Sequence, residues 1–432
     1  MSAHRLPERS GPPAGFWPLY DSVFALLAFF AASAAMFEML GSLPWLLTYA
    51  MFLLRAALSA PMLLSGAAEN LPFLFYPAVC LVSVLWSFTP SATLYASFQL
   101  LMSTAIALFL GLRYSVRSIL VLVFAVSGAM SVLSALHGAF GLLPFPADNL
   151  SGYLKGVFTN KNIFGRTLML TIVTGTALLI LGGPGMARRL TVAGLVLLAV
   201  GLLPLSWSVT NILLSIIGVC LLLALCWRHL PRVPVLGAVF LGAVALAATP
   251  FALALAGLGP LELLFEVTGK DSTLTGRTQL WAIGWEAWRE RPLLGSGFMA
   301  FWQSEVFAND RMRVIWAGSA AATLHNVFID VAVQTGLVGV VAMVVFMLAA
   351  YARVAALWRM TASVPAATAL GIVVLILLMV LVEPGLYSQH DQFAMLLIAL
   401  AVSANSDRLH RLGTARRPAG RAHGAAVGVA GE

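Results

Sequence analysis

Charged residues are scarce in this chain of 432 residues, because Asp, Glu, Lys and Arg together make up only 10% of it. A soluble domain usually carries about 25% of these residues, so the composition excludes a water-soluble globular protein. Hydrophobic residues make up 60% of the chain. Apolar runs of about 20 residues recur from Ser22 to Asn405, and a helix of that length spans a bilayer. The sequence predicts an all-α polytopic membrane protein.

Cysteine is also scarce, and the motifs of several cofactor sites are missing from the sequence. Cys80, Cys220 and Cys226 all lie in apolar runs, which favours core packing over a disulfide framework or a zinc site. The chain has no glycine-rich nucleotide loop with its lysine, no Asp-x-Asp pair and no His-Glu-x-x-His motif. We therefore expect no cofactor and no metal, and we expect no nucleic-acid partner despite the net charge of +8.

Twelve apolar stretches predict twelve membrane-spanning helices. Their boundaries are 21–38, 43–63, 71–87, 92–112, 118–141, 162–182, 190–205, 207–226, 235–256, 323–351, 363–383 and 392–405. Fifteen of the 25 Lys and Arg residues fall at the termini or on alternate loops, all on one side of this arrangement. By the positive-inside rule that side is cytoplasmic, and it holds both termini.

This layout divides the chain into five parts. It predicts a cytoplasmic segment at 1–20, nine helices at 21–256, a large periplasmic loop with an interfacial helix at 257–322, three helices at 323–405, and a disordered basic tail at 406–432. Arg55 falls inside the second predicted span, which makes that span the weakest of the twelve.

Nine basic residues lie on the side that the charge bias should keep free of them. They are Lys155, Lys161, Arg166, Lys270, Arg277, Arg289, Arg291, Arg311 and Arg313. An anionic ligand on that side is the simplest reason to keep them there. The alternative is that the acidic residues of the same connector pair with them.

The segment from Gly156 to Arg166 ends a loop and opens a predicted helix. Helix N-termini present free backbone N–H groups that suit a phosphate, and Lys161 and Arg166 add positive charge. Asn162 lies in the same turn. The alternative is a polar cap followed by a lysine that reaches to the membrane surface.

The segment from Arg277 to Pro292 predicts a helix in the membrane interface. Trp281, Trp285 and Trp288 are spaced four and three residues apart, so they share one helix face. Tryptophan prefers the depth of the lipid headgroups. Arg277 lies one turn before this face. The alternative is an anchoring helix whose arginines are solvated.

The tenth predicted helix carries a histidine at its start. We expect His325 and Asn326 in its first turn, with Asp330 nearby, and we expect Gly336 and Gly339 to let another helix pack closely. Histidine can be neutral near pH 7, so it can accept a proton. The alternative is a plain polar cap.

These segments together resemble the O-antigen ligase family. The resemblance rests on GVFTNKNIFG at 156–165, on LTGRTQLW at 274–281 followed by RPLLGSGF at 291–298, and on His325-Asn326, nine residues, and Gly336-x-x-Gly339. The family lies within a superfamily that also holds O-antigen polymerases and bacterial protein O-oligosaccharyltransferases. The predicted layout with its large ninth connector also agrees.

The resemblance implies a metal-independent, inverting glycosyltransferase in the bacterial inner membrane, with its site facing the periplasm. A glycan on undecaprenyl diphosphate passes to an acceptor, which is the lipid A-core sugar for ligases, another glycan for polymerases and a Ser or Thr for the protein-glycosylating members. The spacing from His325 to Gly339 favours a ligase. A transporter or flippase for an anionic lipid-linked glycan is the alternative of another class.

The family's essential histidine and arginine map onto His325 and Arg277, which we predict to be catalytic. Arg166, Arg289 and Arg291 are rivals for the arginine's role. The predicted substrate-binding residues are Lys155, Lys161, Asn162, Arg166, Arg289, Arg291 and Asn326.

Overall fold

The structure is a computed structural model that describes residues 16–148, 152–183, 185–230, 277–316 and 323–415. Within these ranges the regular structure is helical. The α-helices are α1 (Phe16–Ala32), α2 (Phe37–Leu40), α3 (Leu43–Leu58), α4 (Ala60–Glu69), α5 (Pro72–Val82), α6 (Pro90–Arg113), α7 (Val116–Phe140), α8 (Lys161–Leu181), α9 (Met186–Leu205), α10 (Val209–Leu225), α11 (Arg277–Glu290), α12 (Ala300–Gln303), α13 (Ala308–Trp316), α14 (Val327–Thr361), α15 (Val364–Met379) and α16 (Gln392–Ala415).

The longest apolar helices are long enough to cross a membrane. Among the described residues five qualify by length and composition, namely α6, α7, α8, α9 and α14, and α3 with α4 forms a sixth if that bent pair is one span. Shorter apolar helices accompany them at α1, α5, α10 and α15. The chain is therefore a multi-pass membrane protein whose described part is built from helices. The count of twelve spans stays a prediction, and the predicted span at 235–256 lies outside the described residues.

The second predicted span is not a single straight helix. The chain bends by 95° between α3 and α4. Pro61 lies in the first turn of α4, where its missing N–H costs nothing, but in a continuous helix it would remove a hydrogen bond and clash with the preceding turn. Arg55, near the end of α3, binds Asp21 of α1 at 2.8 Å. An ion pair therefore accounts for the charge inside this apolar stretch.

Helix α14 is broken at Gly336, whose φ of 64° and ψ of −164° are not helical. The turn that follows α11 fills the break: the N–H groups of Ser296 and Gly297 donate to Val333 and Gln334 at 3.0 and 2.9 Å. In return, the N–H of Leu337 donates to the carbonyl of Pro292 at 2.9 Å. Backbone groups freed by the kink are thus satisfied by another backbone segment, as the membrane interior requires.

This contact corrects the prediction that Gly336 lets another helix pack. A β-carbon at Gly336 would lie 2.2 Å from the carbonyl oxygen of Leu293, so the neighbour is a turn of the connector. A β-carbon at Gly339 would meet Thr335 and Val331 of its own helix. The motifs RPLLGSGF and QTGLVG therefore pack against each other.

The helices gather their arginines at one end of the bundle, which we call the basic end. There the hydroxyl of Ser403 donates to the carbonyl of Tyr114 at 2.6 Å, and Nε2 of His229 lies 2.7 Å from the carbonyl of Ala362. The arginines of this end are Arg113, Arg117, Arg188, Arg189, Arg228, Arg359 and Arg411. The opposite end holds the first turns of α8 and α14 and the segment 380–391, and it is called the Glu383 end below.

Candidate active site

Glu383 is the centre of the polar cluster at the Glu383 end. It follows α15, and it is 1% exposed. Nη2 of Arg277 donates to its Oε1 at 2.6 Å. Nδ1 of His325 lies 3.6 Å from Oε2, slightly beyond hydrogen-bond length, so this contact is electrostatic. Nδ2 of Asn162 lies 3.4 Å from each carboxylate oxygen. Four segments that are far apart in the sequence therefore meet at one buried carboxylate.

Arg277 is placed by the packing of α11 on the start of α14. Leu280, Ile283 and Gly284 form the buried face of α11. A β-carbon at Gly284 would lie 2.6 Å from a methyl carbon of Leu324, so glycine permits this close approach. Arg277 is the first residue of the helix and is 9% exposed.

The tryptophans of α11 differ in how far they are exposed. Trp285 is 49% exposed, and its ring centroid lies 4.7 Å from that of Trp288. Trp281 is half-buried and packs against the cluster formed by Leu280, Ile283 and their neighbours. The predicted helix is confirmed from Arg277 to Glu290, and its placement at the membrane interface stays a prediction.

His325 lies before α14, and the prediction that it occupies the first turn is wrong. The helix begins at Val327 because Asn326 is its N-cap: Oδ1 of Asn326 accepts the N–H groups of Phe328 and Ile329 at 3.0 and 3.2 Å. His325 has a φ of 53°, in the left-handed region. Nδ2 of Asn326 also donates to the carbonyl of Leu381 at 3.1 Å, which ties this turn to the segment that carries Glu383.

A chain of hydrogen bonds from Asp330 holds the backbone of His325. Asp330 is 1% exposed, and its carboxylate accepts the N–H of Leu324 at 3.1 Å and the hydroxyl of Thr323 at 3.2 Å. The Thr323 oxygen in turn accepts the N–H of His325 at 3.1 Å. Asp330 therefore fixes the unusual backbone of the histidine through two intermediates.

Arg166 approaches the same place from the second turn of α8. Its Nη2 donates to the carbonyl of Pro384 at 2.7 Å, next to Glu383. Its Nε is buried and has no acceptor in the described part of the chain. Buried donors are nearly always paired, so this N–H is a candidate contact for a ligand.

The start of α8 is less open to a phosphate than the sequence suggested. Oδ1 of Asn160 accepts the N–H groups of Asn162 and Ile163, both at 3.0 Å. Asn162 in turn accepts the hydroxyl of Ser208 at 3.0 Å through its own Oδ1. The cap occupies two of the N–H groups that we expected to face a ligand, and side chains remain as the donors.

The charges of the cluster favour an ionised carboxylate and leave an excess of positive charge. Burial alone would raise the pKa of the Glu383 carboxyl. The neighbouring His325 ring and the charges of Arg277 and Arg166 outweigh burial and lower that pKa to about 2. Two guanidinium groups therefore face one carboxylate, and the excess suits an anionic ligand. We call Glu383, Arg277, His325, Asn162 and Arg166 the Glu383 cluster.

The other predicted binding residues lie in different surroundings. Nζ of Lys155 binds Oε1 of Glu38 at 2.6 Å and is nearly buried. Nζ of Lys161 lies 4.0 Å from the centre of the Tyr153 ring. Arg289 is exposed, and Arg291 lies over the Phe88 ring at 4.2 Å. Since a helix rises about 1.5 Å per residue, Arg289 is about 18 Å along α11 from Arg277.

Glu383 was missed by the sequence reasoning, although the sequence carries a signal for it. It is the one acidic residue between Asp330 and Asp391, and it ends an apolar run directly before Pro384. A lone carboxylate in such a run needs a partner. Among the described residues, no group of three or more His, Cys, Asp or Glu could hold a metal ion.

Three comparisons with known proteins bear on the identity of the chain. Residues 193–344 match the family model Wzy_C, described as O-Antigen ligase. The Exopolysaccharide production protein ExoQ of Rhizobium meliloti (strain 1021) is 29% identical over 335 residues, which cover 76% of this chain and 74% of that protein.

A solved structure titled "Structural coordination of polymerization and crosslinking by a peptidoglycan synthase complex" has a TM-score of 0.40 at 18% identity, over 78% of this chain and 96% of that one. At that similarity it supports no argument. Arg277 and His325 both lie within the matched range 193–344, and over that range the chain is similar to the O-antigen ligase family.

Proposed function

We propose that this protein is a glycosyltransferase that moves a lipid-linked glycan from its diphosphate carrier onto an acceptor hydroxyl, with the Glu383 cluster as its active site. The observation that carries the proposal is the buried Glu383 carboxylate between Arg277 and His325. The similarity to the O-antigen ligase family and to an exopolysaccharide production protein supports a lipid-linked glycan as the substrate. The carrier undecaprenyl diphosphate, absence of a metal and inversion at the sugar carbon remain parts of this proposal.

His325 is the proposed general base. Glu383 lies beside Nδ1, which favours a proton on that nitrogen and leaves Nε2 to accept one. Nε2 takes the proton of the acceptor hydroxyl while its oxygen forms a bond to the anomeric carbon of the donor sugar. The bond from that carbon to the diphosphate oxygen breaks, and the diphosphate leaves with the electron pair. Attack from the opposite face inverts the configuration.

The proposed role of Arg277 and Arg166 is to stabilise the leaving diphosphate. Its charge grows as the bond breaks, and guanidinium groups held in a water-poor site stabilise such charge strongly. The buried Nε of Arg166 offers one unused N–H for a phosphate oxygen. A planar guanidinium also orients two oxygens at once, which a lysine cannot do.

The test is glycosyl transfer by purified protein with radiolabelled lipid-linked glycan and an acceptor. A transferase makes a new glycosidic bond, whereas a transporter only moves the substrate. His325→Gln should lose activity by roughly 10²- to 10⁴-fold, since positioned proton transfer contributes about that much, while the donor still binds. The activity of the wild type should rise with increasing pH, because a general base acts only in its unprotonated form. Normal turnover of His325→Gln, or loss of donor binding with it, contradicts the assignment as a base.

A matched pair of variants on α11 tests the arginine. Arg277→Lys keeps the charge but loses the planar group, so we expect a large loss of turnover. Arg289→Lys makes the same change on the exposed, distant part of the helix, so we expect little effect. Equal turnover of the two variants would remove Arg277 from the site.

The acceptor divides the proposal into two functions. Ligation to the lipid A-core sugar is the function that the spacing of the His325 motif favours. Polymerisation, in which the acceptor is another glycan, is favoured by the relative named for exopolysaccharide production. A deletion strain separates them: loss of every capped lipopolysaccharide band with accumulation of lipid-linked polymer indicates a ligase. Loss of long polymer with survival of single repeats indicates a polymerase.

We further propose that the Glu383 end faces the periplasm of a bacterial inner membrane and that the basic end faces the cytoplasm. Glu305, whose side chain is 93% exposed, lies in the connector at the Glu383 end. Met186, which is 67% exposed, begins α9 at the basic end. In spheroplasts, Glu305→Cys should react with an impermeant thiol reagent and Met186→Cys should not. The reverse pattern contradicts this orientation.

A further inference from the structure

The basic end contains a cavity of about 620 Å³ between the ends of α7, α14, α15 and α16. Small-molecule sites in proteins typically measure about 300–1,000 Å³, so it is large enough for a ligand. It lies at the opposite end of the helices from Glu383. The proposed transfer reaction does not use it.

Part of the lining of this cavity is basic and polar, and it is called the basic wall below. Its side chains are Arg117, His410, Arg411, Ser115, Thr361 and Ser363. Asp407 also lines the cavity, and its Oδ2 accepts the N–H of Val116 at 3.3 Å. Two arginines therefore stand against one carboxylate, and His410 adds positive charge when protonated. The hydroxyl groups are engaged within the protein: that of Thr361 donates to the carbonyl of Leu357 at 2.9 Å, and those of Ser363 and Ser115 lie 3.1 and 2.9 Å from the hydroxyls of Thr361 and Ser118. The basic side chains are therefore the donors. This wall suits a phosphate.

The rest of the lining is apolar, and it is called the apolar wall below. It includes Leu181 at the end of α8, Leu357 of α14 and Pro365 of α15. A free phosphate ion gains no binding energy from contact with apolar side chains. A phospholipid does, because its glycerol and the first carbons of its acyl chains lie directly beside the phosphate. The pairing of a basic wall with an apolar one is the pattern of a lipid headgroup site between membrane helices.

We propose that this basic-end cavity binds the phosphate headgroup of an anionic phospholipid. Arg117 from the first turn of α7 and Arg411 from the last turns of α16 contact the phosphate, and the apolar wall contacts the start of the acyl chains. The bound lipid thereby bridges α7, α14, α15 and α16. The existence of this lipid site does not depend on the proposed glycosyl transfer.

Native mass spectrometry of the purified full chain in a neutral detergent tests the site. The probes are phosphatidylglycerol, phosphatidylcholine and inorganic phosphate. We expect phosphatidylglycerol to be retained and to raise the melting temperature, with phosphatidylcholine retained much less. The double variant Arg117→Gln/Arg411→Gln should lose roughly tenfold or more in phosphatidylglycerol affinity, since each basic residue near an anionic lipid contributes several-fold.

A matched double variant controls for the general attraction of a basic surface to anionic lipid. Arg188→Gln/Arg189→Gln removes the same charge at the same end, from exposed residues that do not line the cavity. This variant should keep the affinity for phosphatidylglycerol. The variant Arg117→Lys/Arg411→Lys keeps the charges of the cavity and should also keep that affinity, which excludes a folding defect as the cause of the loss. Equal loss in both glutamine variants, or equal retention of phosphatidylcholine, overturns the proposal. Displacement of the lipid by millimolar inorganic phosphate would identify free phosphate as the ligand and overturn the lipid assignment.

Discussion

Two buried carboxylates in this protein each face two arginines, and the two sites differ in how many of their hydrogen-bonding atoms have a partner. At the basic end, Oδ1 of Asp21 accepts Nε of Arg55 at 2.8 Å and Oδ2 accepts Nε of Arg113 at 3.0 Å. Nη1 of Arg55 also donates to the hydroxyl of Ser59 at 2.5 Å. We call Asp21, Arg55 and Arg113 the Asp21 cluster. Its carboxylate is saturated by side chains of its own neighbours, and it joins α1, α3 and α6.

The Glu383 cluster is built from the same chemistry but is less complete. Among the residues that the structure describes, only Arg277 forms a short ion pair with Glu383, while Arg166 donates to a backbone carbonyl and its buried Nε has no acceptor. A histidine stands at 3.6 Å, slightly too far to bond. The contrast indicates that unsatisfied polar atoms, more than buried charge itself, distinguish a candidate active site from a structural ion pair.

The largest expected effect separates the two carboxylates directly. Glu383→Ala leaves the buried Arg277 without its partner and should destabilise the protein by about 3–5 kcal/mol. Asp21→Ala leaves the half-buried Arg55 and the exposed Arg113, which water can solvate, so it should destabilise the protein less. The milder variants Glu383→Gln and Asp21→Asn keep the shape of the side chain. Only Glu383→Gln should abolish transfer per folded molecule, measured in the radiolabel assay after correction for the folded fraction. Equal residual activity of Glu383→Gln and Asp21→Asn would contradict a role in transfer for Glu383 that Asp21 lacks.

Acid should weaken the Glu383 cluster in a defined range of pH. In the folded protein the pKa of Glu383 is lowered from 4.5 to about 2. Its ionised carboxylate therefore contributes fully to the free energy of unfolding above pH 4.5. That contribution is lost as pH falls from about 4.5 to about 2, and a shift of this size corresponds to about 3 kcal/mol. Thermal unfolding across this range should show a steeper loss of stability for the wild type than for Glu383→Gln. Parallel curves would contradict the lowered pKa.

Asp330 should affect activity more than its distance from Glu383 suggests. It holds Thr323 and Leu324, and through them the left-handed backbone of His325. Asp330→Asn weakens this chain, and a displacement of a catalytic group by about 1 Å can cost up to about 100-fold in rate. The expected signature is a lower turnover number with little change in donor affinity. A fall in donor affinity alone would indicate a different role.

The kink of α14 gives a smaller, purely structural comparison. Gly336→Ala places a methyl group against the Leu293 carbonyl at a positive φ and should cost about 2 kcal/mol or more. Gly371 lies inside α15 with open space around it. Gly371→Ala should be neutral or stabilise by about 0.5–1 kcal/mol, because glycine is a poor helix former. Thermal unfolding of both variants measures this difference. Equal shifts of the melting temperature would mean that the backbone at Gly336 accepts alanine without strain.

The smallest effect is expected for exposed arginines of the basic end. Arg188→Gln/Arg189→Gln touches no buried partner, so stability should stay within about 0.5 kcal/mol of the wild type. Transfer should also be unchanged in the same radiolabel assay. A loss of transfer comparable to that of Arg277→Lys would mean that positive charge as such, at either end, matters more than its placement.

Helices were well predicted where one periodic pattern decided the structure. The predicted spans 92–112, 118–141 and 162–182 lie within or almost within α6, α7 and α8, because long apolar runs leave few alternatives. The helix after Arg277 was also predicted, from the spacing of its tryptophans. The bend of 95° after Leu58 lies where Pro61 marks a helix break in the sequence.

The site was predicted in part, and what was missed depends on tertiary contacts. Arg277, His325, Asn162 and Arg166 come together as the motifs suggested, and their roles stay predictions. Glu383 belongs to no motif used in the sequence reasoning, and only folding brings it to Arg277. The position of His325 outside the helix follows from the Asn326 cap, which competes with the histidine for the helix start. One-dimensional spacing cannot decide such a competition.

The late position of Glu383 in the chain has a consequence for biosynthesis. Arg166 and Arg277 are synthesised and inserted long before the segment that follows α15 emerges. Until then the nascent protein holds both guanidinium groups without the carboxylate that faces them in the folded chain. The contacts of Glu383 to α8, α11 and the turn before α14 can form only after its own segment has been made. A chain that stops before Glu383 therefore lacks the centre of the proposed site and should be inert towards lipid-linked sugars.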